Sequence, residues 1–270
     1  MSLLETAKLL LRKYRIFPKK SFGQNFMISP SIIQNMVNYA SLDATDLVLD
    51  IGAGLGFLTQ FMASKCGKVL AVESDASLVN LLHDELAGVA NIKIIYGDLF
   101  KAKIPKFNKV VSIPPYYLSS HLLLWLFRHN FDCAVLILQR EFADRLVASI
   151  GSEDYGWLTV VAYYYVETEL LDAVPRWMFY PPPEVNSVVV RLRTKKPPPF
   201  NIKNEALFKQ MTQSLFTRRN RKVRNAVSLL VKNVRVVNEE KGNRPIPFLD
   251  KRVRELAPED LGALTNALIN

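Results

Sequence analysis

Apolar residues recur every three or four positions near the start of the chain and then give way to short apolar runs. The first pattern predicts helices over residues 3–13 and 30–39, the second opened by Ser29 and Pro30. The segment between them, residues 18–26, is predicted to be irregular. The short apolar runs predict strands over residues 47–51, 69–73, 92–96, 110–113 and 134–139. Helical stretches of crossover length separate these runs, so we predict an α/β fold with a parallel, doubly wound sheet.

The second half of the chain changes character after a charged, proline-rich stretch at residues 195–199, which is predicted to be a linker. Before it, strands are predicted over residues 158–166, where three tyrosines would alternate between faces, and over 187–192. After it, only helices are predicted, over residues 204–217, 221–232 and from 258 onward. We therefore predict a Rossmann-like domain over residues 1–193 and a small all-helical domain over 200–270.

Composition narrows the class of protein. The 270 residues contain no run of about 18 apolar residues, which a membrane helix requires, and the N-terminus lacks a signal-peptide pattern. We expect a cytoplasmic protein that is a monomer and has no membrane partner. Only two cysteines, Cys66 and Cys133, are present, and their spacing does not suit a metal site. They are predicted to be buried thiols, and no metal is expected.

Positive charge is concentrated at the two ends of the chain. Of the net charge of +10, residues 194–270 carry +9, and a second basic cluster lies within residues 1–28, the predicted N-terminal extension. Charge segregated in this way favours a polyanion partner, most simply nucleic acid, over a general contribution to solubility. The predicted RNA contacts are Lys19, Lys20, Arg218, Arg219, Arg221, Lys222 and Arg224.

A glycine-rich loop follows the first predicted strand and precedes a helix. Asp50 ends the strand, and Gly52 and Gly54 allow the backbone to approach a ligand closely. Glu73 ends the next strand, where a carboxylate can bind ribose hydroxyls, and Asp98 follows the third, where it can accept from an adenine amino group. Ser74 and Leu99, the residues after these acids, are included in the predicted cofactor site.

Two cofactors suit such a loop, a nicotinamide dinucleotide and S-adenosylmethionine. The dinucleotide fingerprint requires a third glycine at position 57, which is Phe57 here. A Pro-Pro-Tyr corner follows the fourth strand and has no role in hydride transfer. Both features favour S-adenosylmethionine, and the corner favours methylation of an exocyclic amino group. In this corner, Ser112 is predicted to contact the cofactor, and Ile113, Pro114, Pro115 and Tyr116 are predicted to hold the substrate base.

Several longer motifs, in the same order along the chain, resemble those of the ribosomal RNA small-subunit adenine N6-dimethyltransferases. They are Phe22-Gly23-Gln24-Asn25-Phe26, Asp50 to Gly56, Leu138-Gln139-Arg140-Glu141, Tyr155-Gly156-Trp157-Leu158 and Phe179 to Ser187. The resemblance implies that Gln24, Asn25 and Phe26 cover the methionine part of the cofactor. It also implies that Phe179 helps to clamp the target base.

The resemblance implies an S-adenosylmethionine-dependent enzyme that dimethylates two adjacent adenosines near the 3′ end of small-subunit ribosomal RNA, with the small ribosomal subunit as partner. Ile113 departs from the family, which has asparagine as a hydrogen-bond acceptor there. Ser112, Tyr117 or a water is predicted to replace that acceptor. The alternatives are a large-subunit rRNA adenine methyltransferase, a weakly catalytic RNA-binding assembly factor, and a nucleic-acid-binding relative of the mitochondrial transcription-factor kind.

Overall fold

The computed structural model describes residues 1–233 and 246–268. The predicted helical domain therefore includes two stretches, 234–245 and 269–270, that lie outside the described residues. In chain order, the helices are α1 (Leu3–Lys13), α2 (Pro30–Tyr39), α3 (Phe57–Ala63), α4 (Ala76–Glu85), α5 (Ser119–Leu126), α6 (Arg140–Leu146), α7 (Trp157–Tyr165), α8 (Glu205–Phe216), α9 (Val223–Asn233) and α10 (Pro258–Ala267). The strands are β1 (Phe26–Met27), β2 (Leu47–Ile51), β3 (Lys68–Glu73), β4 (Ile92–Tyr96), β5 (Lys109–Ser112), β6 (Cys133–Gln139), β7 (Val166–Val174), β8 (Phe179–Tyr180) and β9 (Ser187–Thr194).

A seven-stranded sheet forms the frame of the fold, in the order β4-β3-β2-β5-β6-β9-β7. The pairs β3–β4, β2–β3, β2–β5 and β5–β6 are parallel, as the alternation of strands and helices predicted. Strand β9 pairs with β6 in the antiparallel direction, so the sheet is mixed and not wholly parallel. The parallel strands all end at one edge, which brings the residues after β2, β3, β4 and β5 together.

The apolar runs predicted as strands are buried because helices cover the sheet. Strand β6 is buried from Cys133 to Leu138, and Val48, Leu49, Val110 and Val111 are inaccessible. Cys66 and Cys133 are buried free thiols, as predicted. Within the described residues, no helix is both long and apolar enough to cross a lipid bilayer.

A separate two-stranded sheet joins segments more than 150 positions apart. Strands β1 and β8 are antiparallel, with Phe26 opposite Tyr180 and Met27 opposite Phe179. A pairing of two residues on each side leaves no periodic signal, so these strands were not predicted. The sheet ties the N-terminal motif to the proline-rich motif near residue 180.

The segment over residues 158–166 is helical up to Tyr165, and its prediction as a strand was wrong. Helix α7 buries six of its nine residues, among them Val160, Val161 and Tyr164. A helix that is apolar on most of its circumference has no 3.6-residue pattern, and its β-branched and aromatic residues imitate a strand. The three tyrosines therefore lie on the last turn of a helix, and strand β7 begins only at Val166.

The chain divides into two compact units, Met1–Ala143 with Glu169–Arg193, and Asp144–Thr168 with Thr194–Asn270. The predicted boundary near residue 193 differs from this division in one segment, because residues 144–168 group with the second unit. The reason is α7, which packs with α8 and α10. The core of the second unit contains Tyr155, whose hydroxyl donates to the carbonyl oxygen of Leu256 at 2.7 Å.

Candidate active site

A cavity of about 330 Å³, called the main cavity of the site below, opens at the edge where the parallel strands end. This volume lies in the range of small-molecule sites, about 300–1,000 Å³. Its lining contains most of the predicted cofactor residues and part of the Pro-Pro-Tyr corner. The predicted residues that line it are Gln24, Asn25, Phe26, Gly52, Gly54, Glu73, Ser74, Asp98, Leu99, Ile113 and Pro115.

Among the predicted acids of the site, Glu73 accepts the most hydrogen bonds. Its Oε1 accepts from the backbone amides of Ser74 at 2.8 Å and Asp75 at 2.9 Å, and its Oε2 accepts from that of Gly54 at 3.0 Å. Burial raises the pKa of Glu73, although the three amides act to lower it. A carboxylate has about four acceptor positions. One position on Oε2 therefore stays available for a ligand hydroxyl.

Asp50 lies behind the glycine loop and does not line the main cavity. Its Oδ2 accepts from the Thr59 hydroxyl at 2.6 Å, and the residue borders a smaller cavity of about 50 Å³. Burial raises the pKa of Asp50 to about 7, against the lowering effect of the Thr59 hydrogen bond. The geometry thus joins Asp50 to the start of α3. A cofactor contact by Asp50 stays a prediction.

The two predicted glycines have conformations that other residues adopt at a cost. Gly52 has φ +75° and Gly54 has φ +58°. A Cβ on Gly54 would lie 3.1 Å from Cδ1 of Phe26, and a Cβ on Gly52 would lie 3.2 Å from Cδ of Pro115. Glycine at both positions therefore lets the loop approach the N-terminal motif and the corner without strain.

Asp98 is held more loosely than Glu73. Its Oδ1 accepts from the amide of Phe100 at 2.9 Å, and its side chain is 45% exposed. Tyr117 lines the same cavity, and its hydroxyl has a raised pKa because of burial and the charges of Asp98 and Glu73. A carboxylate in this exposed position can accept a hydrogen bond from a ligand amino group.

Asp75 holds the N-terminal motif against the cavity, and sequence reasoning did not identify it. Its Oδ2 accepts from Lys19 Nζ at 2.8 Å and from Gln24 Nε2 at 2.9 Å, while Gln24 Oε1 accepts from the Lys19 amide at 2.8 Å. Burial acts to raise the pKa of Asp75, but these bonds and the Ser77 amide lower it overall. The only sequence signal was that Asp75 precedes a helix, as an N-cap does.

The ion pair with Asp75 changes the interpretation of Lys19. A lysine predicted to contact RNA is also a partner of a buried carboxylate, with half of its side chain exposed. Lys20, its neighbour, is exposed. Lys19 therefore has a structural role in this arrangement, whereas Lys20 presents its charge to solvent.

Four residues of the predicted corner and base clamp lie outside the main cavity. Ser112 is inaccessible, and its hydroxyl donates to the Ile51 carbonyl at 2.7 Å and accepts from the Ile51 amide at 3.0 Å. Ser112 thus joins β5 to β2, and its contact with the cofactor and its role as a replacement acceptor stay predictions. Pro114 is buried, and Tyr116 is partly buried, with its hydroxyl 2.6 Å from that of Ser187.

Phe179 is the fourth of these residues. It is only 2% exposed and belongs to the core cluster that includes Met27 and Met36. An aromatic clamp needs an accessible ring face. In this structure Phe179 packs in the core and presents no such face, so a contact with the base stays a prediction.

The basic side chains at residues 218–224 fall into two groups, those with a described hydrogen-bond or ion-pair partner and those without one. The Arg219 guanidinium donates to the carbonyl oxygens of Ser152 and Glu153, and Lys222 and Arg224 both pair with Asp250. Arg218 and Arg221 are exposed, and no side-chain bond to a described residue is found for either. Arg218 and Arg221 are therefore the two basic side chains of this segment whose N–H donors no described residue occupies.

Comparison with known proteins gives the family of the chain. A family model described as ribosomal RNA adenine dimethylase matches residues 17–246. A probable ribosomal RNA small subunit methyltransferase A of Methanosarcina acetivorans is 38% identical over 263 residues, covering 97% of each chain. The ribosomal RNA small subunit methyltransferase A of Pelotomaculum thermopropionicum is 39% identical over 236 residues, which cover 81% of this chain and 80% of that one.

Solved structures support the same fold. A dimethyladenosine transferase from Plasmodium falciparum superimposes with a TM-score of 0.77 at 26% identity, covering 90% of this chain and 95% of that one. The 23S rRNA methyltransferase ErmE gives a TM-score of 0.66 at 24% identity, covering 90% and 99%, and shows the fold alone. Since the family model matches most of the sequence and relatives near 38% identity span almost all of it, the chain belongs to the ribosomal RNA adenine dimethylase family.

Proposed function

We propose that this protein uses S-adenosylmethionine to dimethylate N6 of two adjacent adenosines near the 3′ end of small-subunit ribosomal RNA, as a step of ribosome biogenesis. The observation that carries the proposal is that Ile113 and Pro115 of the corner line the same cavity as Glu73 and Asp98. A methyl donor held by the acids and an amino group held at the corner would therefore meet in one space. Family membership and the names of the relatives support the same reaction.

The residues present fit the proposed cofactor. Glu73 keeps one acceptor position for a ribose hydroxyl, and Asp98 can accept from the adenine amino group. Gly52 and Gly54 of the glycine loop line the same cavity, as do Gln24 and Asn25 of the N-terminal motif. When bound, the cofactor would supply a methyl group already activated on a sulfonium.

The protein then has to position the adenine and polarise its amino group. The N6 lone pair is delocalised into the ring, so alignment and removal of water contribute more than a strong base does. The carbonyl oxygen of Pro114 is our predicted acceptor for one N–H, and the ring of Tyr116 is the predicted stacking surface. Stacking of a base on an aromatic ring contributes about 1–3 kcal/mol.

We further propose that Arg218 and Arg221 contact phosphates of the substrate RNA. Changing both to glutamate should weaken RNA binding and reduce the slope of log affinity against log salt by about 1.4–1.8, because each lost phosphate contact removes about 0.7–0.9. The matched control changes Lys68 and Lys93 to glutamate, which alters net charge equally at exposed positions of the first unit. Equal slopes for both double variants would count against this surface.

Ile113 favours a second candidate function, a weakly catalytic RNA-binding assembly factor. An adenine N–H left without an acceptor in a buried site costs about 1–3 kcal/mol, which is roughly a 5- to 150-fold loss of rate. Monomeric state and cytoplasmic location stay predictions under either function.

One assay distinguishes the candidates. Labelled methyl transfer is measured with unmethylated small subunits and, separately, with large-subunit RNA, and the product nucleosides are separated. Dimethyladenosine in the small subunit supports the proposed function. Methylation of large-subunit RNA alone supports that alternative enzyme, and binding of subunits and S-adenosylhomocysteine without transfer supports the assembly factor.

A further inference from the structure

Adenine N6 carries two N–H groups, and the predicted acceptor for one of them in the corner is the Pro114 carbonyl. No described residue donates a hydrogen bond to that carbonyl. The side chain at position 113 is Ile113, which has no polar atom, and the Ser112 hydroxyl already bonds both backbone groups of Ile51. A second acceptor must therefore come from Tyr117, from another segment or from water, or one N–H stays unpaired.

Ile113 lies at the junction of two cavities, since it lines both the main cavity and the smaller one beside Asp50. The residues common to both linings are Asn25, Phe26, Gly52, Gly54 and Ile113. Asn25 has the only polar side chain among these five. An amide group is therefore placed at the same junction as the apolar side chain.

The orientation of the Asn25 amide is fixed by one hydrogen bond. Its Nδ2 donates to the carbonyl oxygen of Gly23 at 3.2 Å, which directs the amino end toward the backbone and leaves Oδ1 as the free end. Within residues 1–233 and 246–268, no donor to Oδ1 is found. An amide oxygen can accept two hydrogen bonds.

The loop that carries Asn25 is packed directly against the corner. Gly23 has φ +60°, and a Cβ built on it would lie 3.4 Å from Cβ of Pro115 and 3.9 Å from the amide nitrogen of Tyr116. Glycine at this position thus allows the N-terminal motif to touch the Pro-Pro-Tyr corner. The side chain of Gln24, the residue before Asn25, is already paired at both ends. Its Oε1 accepts from the Lys19 amide, and its Nε2 donates to Asp75.

We propose that Oδ1 of Asn25 is the second acceptor for the target amino group, a role that an amide at position 113 would otherwise fill. This inference rests on the proposed function. As the N6 lone pair forms a bond to the methyl carbon, the carbon–sulfur bond breaks and its electron pair stays on sulfur. The methylated nitrogen then loses one proton to water. Asn25 accepts a hydrogen bond throughout and does not take the proton.

Tyr117, which lines the main cavity, is the competing candidate for the second acceptor. Its hydroxyl is near enough to Asp98 and Glu73 for their charges to raise its pKa, and it does not line the smaller cavity beside Ile113. This location assigns Tyr117 to the side of the strand-end acids. Tyr117→Phe is therefore included as a test of the alternative.

The test is a double-mutant cycle with Asn25→Leu and Ile113→Asn, read by single-turnover methyl transfer at saturating cofactor. In the native background, Asn25→Leu should lower the rate about 5- to 150-fold, because one N–H loses its acceptor. In the Ile113→Asn background, the second acceptor is restored, and the same change should cost less than about threefold. Gln24→Leu is the matched control and should lower the rate by the same factor in both backgrounds.

Binding of S-adenosylhomocysteine and thermal unfolding are measured for every variant. An equal loss from Asn25→Leu in both backgrounds, or a loss that appears entirely in cofactor affinity, would overturn the inference and limit Asn25 to the cofactor. If Tyr117→Phe, and not Asn25→Leu, lowers the transfer rate by different factors in the two backgrounds, Tyr117 is the second acceptor. If the native protein binds cofactor but transfers no methyl to any ribosomal substrate, and Ile113→Asn is equally inactive, the proposed function itself fails.

Discussion

Two regions of the site fix their polar groups in different ways. One is the strand-end wall of the cavity, formed by Gly54, Glu73 and Asp98, and the other is the Pro-Pro-Tyr corner, residues 112–116. In the wall, the Glu73 carboxylate is held by three backbone amides, so its position depends on main-chain geometry. In the corner, the polar side chains are used for joining strands, as Ser112 joins β5 to β2 and the Tyr116 hydroxyl contacts Ser187. The wall therefore keeps side-chain acceptor positions available to a ligand, whereas the hydroxyls of Ser112 and Tyr116 are already paired.

The largest expected effect tests Asp50, the buried acid behind the glycine loop. Burial raises the pKa of Asp50 from 3.8 to about 7, so the folded state retains a proton that the unfolded state has lost. The resulting contribution to stability is complete below pH 3.8 and disappears as the pH rises through 7. The free energy of unfolding should fall by up to about 4 kcal/mol across this window relative to Asp50→Asn.

Chemical denaturation at several pH values measures this difference. Thr59→Val serves as the companion variant, because it removes the hydrogen bond that lowers the pKa of Asp50 and should move the transition to higher pH. Parallel stability curves for the native protein and Asp50→Asn would show that Asp50 does not titrate in this range.

Glu73→Gln tests whether main-chain amides fix the wall. Glutamine has one oxygen, so it cannot accept from the donors that now bond both Oε1 and Oε2. We expect a loss of about 3 kcal/mol in the free energy of unfolding and weaker binding of S-adenosylhomocysteine. Asp98→Asn is the control, because Asp98 is exposed and accepts one described amide. Comparable stability losses for the two variants would contradict the difference proposed between these acids.

Ser112→Ala tests the link between wall and corner. The change leaves the amide and the carbonyl of Ile51 without their side-chain partner, and an unfolding free-energy loss of about 2 kcal/mol is expected. Ser119→Ala removes one bond in the same corner, to the Tyr116 carbonyl, and should cost about half as much. Faster hydrogen exchange at the Ile51 amide would locate the effect. An unchanged exchange rate there would argue against the link.

The same difference explains what the sequence could predict. The acids at strand ends and the glycines follow from local order along the chain, because an apolar run ends and a loop begins at Asp50, Glu73 and Asp98. The main cavity duly includes Glu73 and Asp98. The bonds of Ser112 and the burial of Phe179 depend on segments far apart in sequence, which no local pattern encodes. Helix α7 was mistaken for a strand for a related reason, since its burial in the second unit removed the periodicity.

The smallest expected effect comes from removing the hydroxyl of Tyr116 while keeping its ring. Tyr116→Phe keeps the stacking surface and removes the partner of the buried Ser187 hydroxyl, which should cost about 1 kcal/mol of stability.

Methyl transfer by Tyr116→Phe should change by less than about threefold if the hydroxyl only anchors the ring, whereas Tyr116→Leu should lose the stacking contribution of about 1–3 kcal/mol. Transfer rates are compared at saturating cofactor after thermal unfolding has verified both folds. A collapse of activity in Tyr116→Phe with the fold preserved would place the hydroxyl in the reaction. The corner would then contribute a polar group of its own to the reaction. It would differ from the wall only in the apolar side chain at position 113.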